Sequence, residues 1–152
     1  MPRAVSPVVG VVTLLAVTIV LSATLLGATA VDLSPPGPTA SLDLTADASA
    51  DRIELVHRGG EPLDISTLKV KVSVDGDPLD YQPPVPFFAA KGFRSGPEGA
   101  FNPASSNRLQ AGEQTSFAVA STNAPEITSG ATVSVTLFSG NRTLLEVETT
   151  AT

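Results

Sequence analysis

The chain has 152 residues, room for one domain and a short attachment. It has no cysteine, which excludes disulfides, thiolate metal ligands and cysteine nucleophiles. The net charge of −6 is one-sided: Arg3 is the only ionisable side chain before Asp32, so the remainder sets 8 Lys and Arg against 15 Asp and Glu, an acidity that repels phosphate backbones and argues against nucleic acid as a partner.

The first element is the uncharged run Ala4 to Val31, dense in Val, Leu, Ala and Ile. As a helix it would extend roughly 42 Å at 1.5 Å per residue, more than a bilayer core of about 30 Å requires. Arg3 on one flank and Asp32 on the other place the N-terminus on the cytoplasmic side and the remainder outside. Three fates fit such a segment. It is a secretory signal peptide cut after Ala28-Thr29-Ala30, a permanent signal anchor, or a prepilin signal cut ahead of the helix. The apolar stretch Val8 to Leu26 is longer than the 7–15 residues of an ordinary signal peptide, which disfavours the first.

The block Arg3-Ala4-Val5-Ser6-Pro7-Val8-Val9-Gly10 resembles the opening of haloarchaeal type IV pilins and pilin-like proteins. Arg3 and Ala4 match the recognition positions of that family's peptidase, and Val5 matches the new N-terminus. The resemblance implies a leader at 1–4, a transmembrane and filament-core helix at 5–31, a Pro-rich linker at 32–38 and an extracytoplasmic domain at 39–152. It also implies prepilin peptidase and the pilus assembly machinery as partners, with copies of this chain or other pilins joined through the helix. Val9 stands where bacterial pilins carry a glutamate.

Ser6, Gly10, Thr13, Ala16, Ala23, Gly27 and Ala30 recur at intervals of 4, 3, 3, 7, 4 and 3. That spacing collects small side chains on one side of a helix, where a neighbouring helix can approach closely. Asp32 to Pro38, with three prolines and a glycine, breaks the helix.

Beyond it, alternation predicts strands at Ala40–Ala46, Arg52–Val56, Leu68–Val74, Thr115–Ala120, Thr132–Phe138 and Arg142–Glu148. Asp75-Gly76-Asp77 and Ser139-Gly140-Asn141 read as turns. The fold class expected is an N-terminal hydrophobic α-helix followed by an all-β domain, a β-sandwich or small barrel of six to seven antiparallel strands. Residues 79–108 lack periodicity yet hold Tyr81, Phe87, Phe88, Phe93, Phe101 and five prolines, which predicts a loop plugging one end of the domain. Within Arg52 to Val74, the Ile-x-Leu-Val-His-x-Gly-Gly-x-Pro-Leu-Asp core resembles the ectodomain of the same pilin-like proteins.

No catalytic motif stands out, so no enzyme and no cofactor are expected. His57 alone does not make a metal site and is expected to bond a nearby backbone group at a strand end. Asp75, Asp77 and Asp80 read as a solvated acidic turn, without the full calcium-loop pattern. Asn141-Arg142-Thr143 is the one N-glycosylation sequon, at an expected hairpin tip. The reading is a structural subunit of a pilus-like surface filament used in adhesion or cell contact, membrane-held as a precursor and extracellular when assembled. The alternative is a non-filamentous signal-anchored or secreted β-domain that binds an envelope or polysaccharide ligand.

Overall fold

A computed structural model describes the helix Pro7–Ala28, with side chains as far as Ala23, and the β-domain from Gly37 to Thr152. The two units have separate internal contacts, and the chain divides after Pro36.

Helix α1 (Pro7–Ala28) starts at the proline, whose missing N–H falls in a first turn where no intrahelical bond is lost. Its described side chains are all exposed, apolar ones such as Val8, Leu14 and Ile19 included. The hydroxyls of Thr13, Thr18 and Ser22 donate back to the carbonyls of Val9, Leu14 and Thr18 at 2.7–2.8 Å. Each is satisfied within its own helix, as an apolar setting demands. Among the described residues no helix is long and apolar enough to cross a membrane. The described side chains, Pro7 to Ala23, would cover only about 25 Å, and the expected span draws on the rest of the uncharged run.

The second unit is a mostly antiparallel β-domain. Strand β1 (Ala40–Asp47) pairs with β2 (Arg52–Gly60), and β2 with β7 (Gln114–Ala118). A four-stranded sheet runs β5 (Asp77–Pro78), β4 (Leu68–Val74), β8 (Thr132–Ser139), β9 (Arg142–Thr150). The short β3 (Leu63–Asp64) and β6 (Arg108–Leu109) pair with each other. Period-two alternation decides which side faces inward. Leu42, Leu44 and Ala46 of β1, Ile53 and Leu55 of β2, Val70, Val72 and Val74 of β4, and Val133, Val135 and Leu137 of β8 all enter one core.

The connections follow from turn chemistry. Asp75 (φ 51°) and Gly76 (φ 88°) both adopt left-handed backbone between β4 and β5, the requirement of a two-residue hairpin whose twist matches its strands. The Asp75 carboxylate also accepts the Thr132 N–H at 2.8 Å, tying this turn to the start of β8. At the β1–β2 turn the Asp47 carboxylate accepts from the Ser49 hydroxyl (2.6 Å) and from the Ser49 and Ala50 N–H groups (2.8 and 3.1 Å). The Ser49 hydroxyl above all holds the Asp47 carboxyl below its ordinary pKa.

The patternless stretch 79–108 is ordered, and three of its five aromatics enter the core, while Phe88 stays exposed. Phe87, Phe93 and Phe101 are buried with Phe117 of β7 in a chain of rings whose successive centroids lie 5.6, 5.5 and 5.6 Å apart. The segment also covers the open edge of β7, with bridges Phe93–Val119 and Glu98–Ser116. The buried Thr115 hydroxyl donates to the Glu98 carbonyl (2.7 Å) and accepts the Phe101 N–H (3.0 Å). Gly99 (φ 66°) passes so close to β7 that an added Cβ would sit 2.3 Å from the Gln114 carbonyl oxygen. At the other sheet, the Gln82 amide accepts the Val72 N–H (2.7 Å) and donates to the Val72 carbonyl (3.0 Å), taking the place of a strand partner.

Phe117 touches two of the other three rings, so Phe117→Ala should leave a cavity at their junction. Denaturant unfolding is expected to show a loss of about 3–5 kcal/mol. The exposed Phe88→Ala should stay within about 0.5 kcal/mol of the parent.

Candidate functional site

The residues expected to act in processing and packing fall in the first unit. Arg3, Ala4, Val5, Ser6 and Ala30 lie outside the described residues. Gly10, Thr13, Ala16 and Ala23 lie on α1 and are exposed. Gly27 is in the α1 backbone, beyond the described side chains. Thr13 and Ala16 line a shallow apolar groove on the helix surface together with Val17, Val20 and Leu21, which are not members of the small-residue stripe. An added Cβ at Gly10 meets nothing within 4 Å, so close packing there awaits a second helix. Asn141 is exposed at the two-residue turn between β8 and β9.

His57 departs from its expected role. It lies inside β2 rather than at the strand's end, it is completely buried, and neither ring nitrogen has a hydrogen-bond partner among the described residues. Its backbone supplies the bonding instead: the N–H donates to the Glu113 carbonyl (2.9 Å) and the C=O accepts from Gly112 (2.7 Å). Strand β2 runs on through His57-Arg58-Gly59-Gly60, where the glycines had suggested closure. Register then points residue 57 to the same side as Ile53 and Leu55. Among the described residues no group of three or more His, Asp or Glu side chains is gathered to hold a metal ion.

The polar cluster of the β-domain has no signature in the sequence, because its members are far apart along the chain. The Arg52 Nη1 donates to Glu98 Oε2 (3.1 Å) and to the Ser116 hydroxyl (3.0 Å), which itself donates to Glu98 Oε2 (3.3 Å). Arg94 Nη2 donates to Asp51 Oδ2 at 3.1 Å. Arg52 and Arg94, with Ser95, Gly96, Pro97 and Glu98, line a cleft of about 210 Å³ beside β7. Arg52 sits at the start of β2, Ser116 is centred on β7, and Glu98 is set opposite Ser116 by the bridge between their backbones. The edge-covering loop therefore builds the cleft as well as the aromatic core. Elsewhere Arg58 pairs with Asp43 across β1 and β2 (2.6 Å), an exposed pair of small energetic weight.

No family model matches the chain. An uncharacterized protein of Archaeoglobus fulgidus is similar to it, 37% identical over 75 residues that cover 47% of this chain and 52% of that protein. The chain thus spans about half the length of the curated relative it matches.

The unpartnered imidazole makes a direct forecast. His57→Leu removes a buried polar group that gains no hydrogen bond, so thermal unfolding should show unchanged or raised stability. His57→Ala should lose about 2–4 kcal/mol to the cavity it opens.

Proposed function

We propose that this chain is a structural subunit of an archaeal type IV pilus-like filament, held in the membrane as a precursor and assembled through its N-terminal helix. The observation that carries the reading is the Arg3-to-Gly10 block set directly ahead of an uncharged helical run. A prepilin peptidase would cut after Ala4, leaving Val5 as the first residue and Pro7 in the first helical turn. The helix is suited to an apolar surrounding both before and after assembly. Its described surface is almost wholly apolar, and its described threonine and serine hydroxyls are bonded within the helix. Bundling with further copies replaces lipid contacts by helix contacts, with Gly10, Thr13, Ala16, Ala23 and Gly27 allowing close approach.

The β-domain, which we read as a sandwich of the two larger sheets, stays outside the bundle and meets surfaces or other cells. Its acidity keeps neighbouring domains from collapsing together. The likeness to an archaeal protein is in keeping with this setting.

N-terminal sequencing of the mature protein tests the proposal. A start at Val5 is expected, and Ala4→Asp should leave the precursor uncut and filaments absent. An intact N-terminus would instead assign a signal anchor, and a start at Val31 a secreted β-domain. Gly10→Leu and Gly27→Leu should keep membrane insertion, since Leu is at least as apolar, while reducing assembly. Wild-type assembly by both would make the small-residue face incidental.

A further inference from the structure

We propose that the outer face of the four-stranded sheet is a self-complementary surface that pairs two copies of this chain, lysine of each copy meeting glutamate of the other. All the residues involved lie in the β-domain, so the inference does not rest on the filament reading.

Register fixes the pattern of this face. Val70 and Val72 of β4 and Val135 and Leu137 of β8 enter the core, so the residues between them point outward. Lys71 is level with Thr136, and Thr136 with Glu146 of β9. In the adjacent row Ser73 is level with Ser134, and Ser134 with Glu148. Lys69 flanks Lys71 on β4, and Lys69, Lys71, Glu146 and Glu148 are all exposed. Cations therefore stand on β4, carboxylates on β9, and short hydroxyl side chains between them.

These charges are unmatched within the chain. Among the described residues the ion pairs are Arg52–Glu98, Arg58–Asp43 and Arg94–Asp51, and the four charges of this face join none of them. Two strand spacings, about 9.6 Å, separate β4 from β9. Lys71 Nζ sits instead over the Phe138 ring, 5.3 Å from its centroid, and Glu146 accepts the Ser134 hydroxyl at 3.3 Å.

A second copy supplies the missing partners. Rotation by 180° about an axis parallel to β8, above Thr136, lays β4 of one copy over β9 of the other. Lys71 of each copy then faces Glu146 of its partner, and Thr136 faces Thr136. An axis across the strands would set lysine on lysine, which charge forbids. The arrangement needs only the strand positions that the ladder fixes. Being isologous, it closes on two copies and cannot by itself extend a filament.

The net negative charge of each domain opposes the approach. That repulsion is spread over the whole surface and is largely screened beyond about 8 Å at physiological salt, whereas pairs enclosed between two faces are screened less. Exposed pairs are individually weak. The domain thus stays monomeric when dilute and pairs at the millimolar local concentrations that tethering provides.

The absence of cysteine makes cross-linking a direct test on the full chain in lipid vesicles. Thr136→Cys, beside the axis, should give a covalent dimer with a short bis-maleimide. Its yield should exceed about tenfold that of Thr45→Cys, on the exposed side of β1. Adding Lys71→Glu or Glu146→Lys to Thr136→Cys should lower the yield to the Thr45→Cys level. Mixing these two charge variants should restore it, because each offers the other two pairs of opposite charge, and misfolded protein could not produce that recovery. Equal yields from Thr136→Cys and Thr45→Cys would overturn the proposal. So would parental yields from either charge variant alone, or a mixture that fails to recover.

Discussion

The edge of β7 is the constraint on which the β-domain depends. Beyond its pairing with β2, this strand presents its outer row of backbone groups, and an open row invites pairing with another chain. Residues 93–101 occupy that row, through the Phe93–Val119 and Glu98–Ser116 bridges and the Thr115 hydroxyl. The same segment inserts Phe93 and Phe101 against Phe117. One connection thus protects an edge, completes a core and sets Glu98 opposite Arg52. Loss of the aromatic contacts would be felt in all three places, because the loop has no periodic structure of its own to fall back on.

Much of this architecture is legible in the sequence where burial is one-sided. Leu68 to Val74 alternates without a break, and the strand has the same limits in the structure. Arg52 to Val56 is read too short, because two glycines after His57 resemble a terminator. The strand continues since β1 pairs with it as far as Gly60, and pairing overrides local preference. The opposite error is made at Ala120, where β7 ends sooner, at Ala118, and Val119 follows it with an isolated bridge to Phe93 and an N–H bonded to the Asp51 carbonyl. Within 79–108, composition reveals that aromatics must be buried but not where. The mode of attachment depends on single groups such as the Gln82 amide and the Asn123 side chain, which bonds Tyr81 and Gly92. No periodicity marks those.

The Arg52–Glu98–Ser116 cluster is invisible for a related reason. Its members are brought together by register and by a loop crossing, and separations of 46 and 64 positions leave no local motif. His57 misleads in the other direction: a polar residue near glycines suggests a surface, yet strand parity places it among apolar side chains. By contrast, the opening block Arg3 to Gly10 is compact, so its resemblance is carried by neighbouring residues, and it bears on the helix alone. The two units thus carry different kinds of information. The helix is defined by a motif and by composition, while the β-domain is defined by long-range pairing.

Division of labour between these units is the central claim, and it is tested most directly on residues 37–152 produced without the helix. Circular dichroism and sedimentation velocity should find a β-rich monomer that unfolds cooperatively, since its core and edge coverings are all internal to the unit. A helical or unfolded spectrum, or stable oligomers at low micromolar concentration, would contradict the account.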